Sequence, residues 1–120
     1  MPYSGQTHYI LGWVTSGQQN PILGILPAAS YVVRASLHVT VAFDSDGTDN
    51  IQCGYDADND SIFTNTLVNT TGIKTVTLGA EAGYNGTARS IEAYYTNSGS
   101  EPTVGKAIVV IEFFLVPTSP

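Results

Sequence analysis

The chain has 120 residues, a formal net charge of −6 at pH 7 and only four basic residues. These four are scattered and form no basic stripe, which argues against nucleic acid and against an anionic membrane surface as partners. The lone cysteine, Cys53, excludes an intrachain disulfide and zinc sites built on several cysteines. Charged residues make up 12% of the chain, below the roughly 25% of typical domains, so we expect a surface that partners partly cover.

Taken in chain order, the sequence predicts about eight short strands and no helix. Weak strand patterns cover residues 9–15 and 22–26. A strict alternation of apolar and other residues then runs from residue 33 to residue 43, which is typical of a strand with one buried face. We expect that buried face to consist of Val33, Ala35, Leu37, Val39, Val41 and Phe43.

Three weaker strands follow at residues 51–55, 61–68 and 72–78. Clear alternation returns at residues 90–96 and again at residues 106–116. The first residues lack the basic and apolar stretches of a secretory signal, so we expect none. The longest apolar run is too short to cross a bilayer as a helix.

Turn residues separate these strands. Gly47, in the loop "DSDGTD", is expected to adopt a positive φ, and Asn85–Gly86 predicts a two-residue type I′ hairpin turn. Short strands with turns every 8–12 residues or so indicate an all-β fold, a single antiparallel β-sandwich, with the jelly roll as the preferred topology. We expect one domain over residues 1–120, with short arms at residues 1–6 and 116–120.

The last strand is the most informative segment because both of its faces are apolar. Leaving one large apolar side chain exposed forfeits about 1.5–3 kcal/mol of burial energy. The N-terminal segment, another subunit or a larger assembly is therefore expected to cover the second face. The predicted interface therefore includes the apolar residues of that second face: Ile108, Val110, Phe114 and Val116.

Aromatic residues extend the predicted interface. Tyr9 and Trp13 lie on a predicted edge strand, and Tyr94 has the outward parity of its strand. Aromatic side chains suit both core packing and interfaces. A sugar-stacking platform that uses Trp13 and Tyr94 is the alternative.

Six of the ten acidic residues lie between Phe43 and Ser61. Asp56, Asp58 and Asp60 have the spacing that opens an EF-hand loop, but the sixth and twelfth positions hold Ser61 and Leu67 where Gly and Glu are required. Aspartate also satisfies backbone groups in turns. We therefore interpret the stretch as solvated turns and predict no metal and no cofactor, with these three residues as weak metal candidates.

The remaining reactive side chains do not form a catalytic pattern. His8 falls in the N-terminal arm, His38 on the polar face of a strand, and Cys53 is expected to be a small buried residue. A nucleophile would need a nearby base and an oxyanion site, and neither is signalled. The sequence predicts no enzyme.

Three stretches together resemble small β-sandwich structural proteins of tailed bacteriophages: "GILPAASYVVRASLHVTV", "VAFDSDGTDNIQCGYDADND" and "NTTGIKTVTLGAEAGYNGTARSIEAYYTNSGSEPTVGKAIVVIEFF". The shared elements are a strand that ends in Ala-Phe, an Asp/Gly/Thr turn, a "GYDAD" segment, a Pro- and Gly-containing loop and an apolar last strand. Here they fall at residues 42–43, 44–49, 54–58, 95–107 and 108–116.

The resemblance implies a capsid decoration, or cement, protein on the outer surface of the virion. Its partners would be the major capsid protein and its own copies, as dimers or trimers. The family brings no catalytic residues. A head-fibre or tail-tip module that binds host surface glycan is the alternative, which the short chain disfavours, and a calcium-dependent lectin-like domain is a third hypothesis.

Overall fold

The structure is a computed structural model that describes residues 7–18 and 20–117. These residues form nine strands and no helix, and none of them belongs to a helix that could cross a membrane. The strands are β1 (Thr7–Thr15), β2 (Ile22–Leu26), β3 (Ser30–Val41), β4 (Asp49–Tyr55), β5 (Asp58–Leu67), β6 (Gly72–Lys74), β7 (Gly83–Asn85), β8 (Arg89–Asn97) and β9 (Lys106–Leu115).

The strands form two antiparallel sheets. The first sheet has the order β1-β9-β3-β6, with β7 also paired to β3, and the second has the order β2-β8-β4-β5. The pairs are nested: β1 with β9, β2 with β8, β3 with β6 and β7, and β4 with β5. This is one long hairpin whose strands alternate between two sheets, which is a jelly roll. The predicted all-β sandwich is confirmed.

The inner faces of the two sheets share one core. Cys53 lies in this core, fully buried, and burial raises the pKa of its thiol, so the thiol stays protonated and unreactive. The largest fully buried side chains are Phe43, Phe63, Leu26, Leu37, Ile51, Ile62, Ile91 and Ile111.

Two bulges change the predicted faces of β3. The register with β9 shifts between Val32 and Arg34 and again between Val39 and Val41. Each extra residue reverses the alternation that follows it. Val32 is therefore buried while Val33 and Val41 are exposed, so the prediction that Val33 and Val41 face the core is wrong.

Both predicted turn features differ from the structure. Asn85 ends β7, a strand that the sequence did not predict, and the chain then crosses to the second sheet. Neither Asn85 nor Gly86 has a positive φ, so no type I′ hairpin forms there. Gly47 also lacks a positive φ, and glycine is needed there because a Cβ would overlap the carbonyl oxygen of Ser98.

The predicted arms lie mostly outside the described residues, which exclude residues 1–6 and 118–120. His8, predicted in the N-terminal arm, belongs to β1 and stacks on Phe113 with ring centroids 5.5 Å apart. Beyond β9, the Val116 N–H donates to the Ala29 carbonyl at 2.7 Å. The first strand thus begins two residues earlier than predicted, whereas the last strand ends within its predicted range.

The close approach at Gly47 gives a stability prediction. Gly47→Ala forces backbone to move away from Ser98, and we expect it to destabilise the fold by more than about 1 kcal/mol, as incompatible backbone sites do. Gly86→Ala is the control, because its Cβ would meet the Tyr84 ring at an ordinary 3.4 Å. Thermal unfolding of both variants measures the difference, and equal melting temperatures would contradict the close approach.

Candidate functional site

The candidate site is built on β9, which lies between β1 and β3 in the first sheet. One side of the strand is buried in the core through Ala107, Val109, Ile111 and Phe113. On the other side Ile108, Val110 and Phe114 point out of the sandwich and are only half-buried. The two apolar faces predicted for this strand therefore point to the core and to the outside.

The edge strand β1 continues this surface. Its outward side chains are Tyr9, Leu11 and Trp13, with exposed fractions of 57%, 55% and 46%. Leu11 lies opposite Val110, and Trp13 lies opposite Ile108. Cross-strand neighbours on one face are in side-chain contact range, so the two strands present one continuous apolar surface.

Strands β3, β6 and β7 extend the surface on the opposite side of β9. Tyr31 lies between Phe114 of β9 and Tyr84 of β7, and its ring stacks on Phe114 with centroids 5.2 Å apart. Ile73 of β6 pairs with His38, which pairs with Ile108. We call the resulting nine residues the apolar face: Tyr9, Leu11, Trp13, Tyr31, Ile73, Tyr84, Ile108, Val110 and Phe114.

The charges on this side of the first sheet differ from those of the whole chain. Arg34 Nε lies 3.2 Å from Glu112 Oε1, and Lys106 Nζ lies 4.9 Å from the centroid of the Trp13 ring. Two cationic side chains and one anionic side chain thus lie beside the apolar face, although the chain carries a net charge of −6. The Arg34–Glu112 pair is exposed at Arg34, so it contributes at most about 1 kcal/mol.

No described segment of the chain packs over the apolar face. Residues 7–15 pair beside β9 as an edge strand rather than above it. Five residues of the predicted interface are thereby brought together: Tyr9, Trp13, Ile108, Val110 and Phe114. Val116 lies just past the end of β9 and is half-buried.

Tyr94 does not join this surface. It lies on β8 of the second sheet, opposite Gln52, and so has the predicted outward parity. Its side chain is nevertheless only 6% exposed, so it does not present a free surface to a partner. The strand is central, with β2 and β4 on its two sides. Burial, together with the charge of Glu92, raises the pKa of Tyr94 to about 12. Trp13 and Tyr94 belong to different sheets and form no shared platform.

The outer side of the second sheet is more polar. Its two central strands present Asn50, Gln52, Glu92 and Thr96. Large exposed apolar side chains occur there on the edge strands, at Ile22, Ile25 and Leu67. The sequence missed Leu11, Tyr31, Ile73 and Tyr84 as members of the apolar face. Leu11 shares the parity of Tyr9 and Trp13 and was detectable, whereas the other three depend on long-range register.

The acidic stretch is not a set of solvated turns throughout, because Asp49 is fully buried. Its carboxylate accepts hydrogen bonds from the Ser45 hydroxyl at 2.8 Å, from the Asn69 amide and from the Tyr95 hydroxyl. The Asp49 N–H in turn donates to Asn69 Oδ1 at 3.0 Å. Asp49 therefore joins the β3–β4 loop to the β5–β6 loop and to β8.

Asp44 and Asp46 also tie loops together. Asp44 accepts hydrogen bonds from the N–H groups of Val104 and Thr103 and from the Thr103 hydroxyl, and these bonds, that of Val104 first, lower the pKa of its carboxyl. Asp46 accepts from the Ser100 N–H at 2.7 Å. The aspartates of this loop serve to fix the β3–β4 loop to the β8–β9 loop.

The weak metal candidates lie at the opposite end of the sandwich, in the β4–β5 hairpin. Asp56 and Asp60 are exposed, and a hydrogen bond with Asp60, followed by burial and like-charge repulsion, raises the pKa of Asp58. Among residues 7–18 and 20–117, no group of three or more His, Cys, Asp or Glu side chains is arranged to hold a metal ion.

The fold of the chain is similar to that of chains in solved structures. No protein-family model and no curated protein sequence matches the chain. A chain of the cyanophage Pam1 capsid asymmetric unit superposes with a TM-score of 0.73 at 15% identity, over 96% of this chain and 91% of that chain.

Two further capsid structures contain a similar chain. One is the acid-stable capsid of Helicobacter pylori bacteriophage KHP30, with a TM-score of 0.65 at 14% identity over 92% of this chain and 89% of that chain. The other is the capsid of Ralstonia phage GP4, with a TM-score of 0.63 at 19% identity over 99% of this chain and 90% of that chain. This jelly roll is thus a fold found, at nearly full length, in chains of phage capsid structures.

The buried carboxylate gives a second stability prediction. Asp49→Asn places an amide donor among groups that already donate. We expect the free energy of unfolding to fall by about 1–3 kcal/mol, the usual penalty for unsatisfied buried polar groups. Asp56→Asn is the matched control, because Asp56 is exposed in the β4–β5 hairpin, at the other end of the sandwich. Urea unfolding of both variants measures the effect, and an equally small change in both would contradict the network.

Tyr95 predicts how stability depends on pH. Burial, and then the hydrogen bond to Asp49, raises the pKa of Tyr95 to about 12, against about 10 for tyrosine in an unfolded chain. The folded state therefore keeps a proton that the unfolded state loses, so this contribution is complete below about pH 10 and is lost as the pH rises toward about 12.

Urea unfolding between about pH 8 and about pH 11 tests this linkage. We expect the free energy of unfolding to fall over this range, and to fall less steeply in Tyr95→Phe than in the parent protein. The variant also loses its bond to Asp49, so the slope with pH is compared and not the absolute stability. An unchanged slope would refute the assignment to Tyr95.

Proposed function

We propose that this protein is a non-enzymatic capsid decoration protein of a bacteriophage. It binds the outer surface of the major capsid protein shell and stabilises the head. The observation that carries the proposal is the open apolar face on a small jelly roll. Support also comes from the three similar chains, each about nine-tenths covered and therefore of about the same size, which belong to phage capsid structures.

The size of the apolar face supports a binding role. Four neighbouring strands at about 4.8 Å spacing and about nine residues at 3.3 Å each cover roughly 15–20 by 30 Å. That area of about 450–600 Å² is more than half of the roughly 800 Å² that each partner contributes to a standard interface. Each strongly exposed side chain of the face stands to gain on the order of 1 kcal/mol when a partner covers it.

Aromatic anchors strengthen this interpretation. Tyr and Trp are enriched among the residues that dominate binding energy at interfaces. The apolar face holds Tyr9, Trp13, Tyr31 and Tyr84, and all four are strongly exposed. Repetition of such contacts over a symmetric shell would multiply the effect of each modest contact.

In the proposed arrangement the rest of the surface faces solvent. The exposed aspartates of the β4–β5 hairpin belong to the second sheet, away from the apolar face. Net negative charge on the outside of a particle keeps particles apart. A second copy of the chain is the competing occupant of the apolar face, in keeping with a dimer or trimer on the shell.

Leu11→Asp tests the proposal. Leu11 is 55% exposed, so we expect the variant to fold with a stability within about 0.5 kcal/mol of the parent. We expect its affinity for shells assembled from the capsid protein of the same phage to fall by about ten-fold or more, because a charge replaces an apolar contact. Co-sedimentation with the shells measures binding.

Ile25→Asp is the matched control, because Ile25 is 61% exposed on the outer side of the second sheet. It should bind shells like the parent protein. Sedimentation velocity of both variants without shells reports whether a second copy occupies the face. Normal shell binding by Leu11→Asp, or loss of binding by Ile25→Asp alone, would overturn the proposed surface.

A further inference from the structure

A cleft opens at one end of the sandwich, beside the end of β8. It is half open to solvent and has a volume of about 600 Å³, within the range of about 300–1,000 Å³ that is typical of small-molecule sites. Its walls come from the β1–β2 loop, the last residues of β8 and the β8–β9 loop. Its described lining includes no residue of the apolar face, so it is a separate feature of the surface.

The cleft is lined by polar groups of mixed hydrogen-bonding character. They comprise three amides, a hydroxyl, a phenol and one carboxylate: Gln18, Asn20, Asn97, Thr96, Tyr95 and Glu101. The described lining contains no Lys, Arg or His. An anionic ligand would meet the Glu101 carboxylate with no cation to offset it. A ligand with many hydroxyl groups matches the mixture of donors and acceptors.

Several of these groups retain hydrogen-bonding capacity for a ligand. Gln18 Oε1 accepts from the Thr15 N–H at 2.8 Å, which leaves its Nε2 group as a donor. Asn97 Nδ2 donates to the Tyr95 hydroxyl at 3.2 Å and to the Ser100 carbonyl at 3.4 Å, which leaves Oδ1 as an acceptor. Within the described residues, the Glu101 carboxylate makes no hydrogen bond or ion pair.

The walls of the cleft are held in place by contacts behind them. Tyr95 stacks on Phe43 with ring centroids 5.2 Å apart, and its hydroxyl donates to the buried Asp49. The Ser16 N–H donates to the Gly105 carbonyl at 3.0 Å, which joins the two loops that flank the cleft. A site that is ordered before binding loses less entropy when a ligand arrives.

We propose that this cleft binds a short neutral saccharide. Glu101 and the amides of Gln18 and Asn97 would bond its hydroxyl groups. The cleft would bind the saccharide without cleaving it, because most glycosidases place two carboxyl groups beside the scissile bond and the described lining supplies only Glu101. The inference is independent of the capsid role, since cleft and apolar face share no described residue.

Chemical-shift mapping on the ¹⁵N-labelled full chain tests the proposal. The probes are lactose, maltotriose and chitobiose, with sialyllactose as an anionic comparison. We expect at least one neutral sugar to shift the amide signals of Thr96, Asn97 and Glu101. Glu101→Ala should weaken this sugar's affinity by about ten-fold, as expected for the loss of a hydrogen bond to a charged group. Leu11→Asp, on the apolar face, should leave the affinity for this sugar unchanged.

Each other outcome refutes a stated part of the inference. If none of the neutral sugars shifts cleft signals at millimolar concentration, the cleft is not a saccharide site. Shifts centred on Trp13 or Tyr31 would place sugar binding on the apolar face instead. Stronger binding of sialyllactose than of lactose would overturn the preference for a neutral ligand. All of these results are distinguishable from failure of shell binding, which is measured with a different partner.

Discussion

The pairing of β9 with strands on both of its edges is the constraint on which the candidate site depends. A strand held in this way has one side toward the core and one toward the outside, and it cannot rotate to hide both. Because β9 is apolar on both sides, its outer residues are only half-buried, flanked by Tyr9, Leu11 and Trp13 of β1 and by Tyr31 of β3. The apolar face is therefore a property of the paired sheet and not of one strand.

A second constraint acts at the loop end of the sandwich. Within the described part of the chain, buried Asp49 makes no ion pair, and its side chain is satisfied by Ser45, Asn69 and Tyr95. A buried polar group is tolerated when such hydrogen bonds satisfy it. The same interactions hold the β3–β4 loop and orient Tyr95 beside the cleft, so the stability of the loops and the shape of the cleft have one origin. Asp44 and Asp46 of the same acidic stretch also accept hydrogen bonds from a neighbouring loop, whereas Asp56, Asp58 and Asp60 lie apart from them in the β4–β5 hairpin.

Much of the fold could be predicted because period-two alternation and turn residues are local signals. All eight predicted strands exist, although the predicted strand at residues 72–78 is confined to Gly72–Lys74. The errors arise where non-local pairing decides. The bulges of β3 leave no mark in the alternation but expose Val33 and Val41, and β7 is too short to produce a pattern. Asn85–Gly86 does not form the predicted hairpin turn because the chain crosses between the two sheets at that point.

The sequence by itself determined that the chain is all-β and that its last strand is apolar on both faces. The reason is that the alternation of side chains along a strand follows directly from residue order. Only the tertiary structure decided which side chains share the outer surface with that strand. It brought Leu11, Tyr31, Ile73 and Tyr84 to the apolar face, left Tyr94 buried in the other sheet, and buried Asp49. Strand register and sheet order set these neighbours, and both depend on contacts between residues far apart in the chain, which no local pattern specifies.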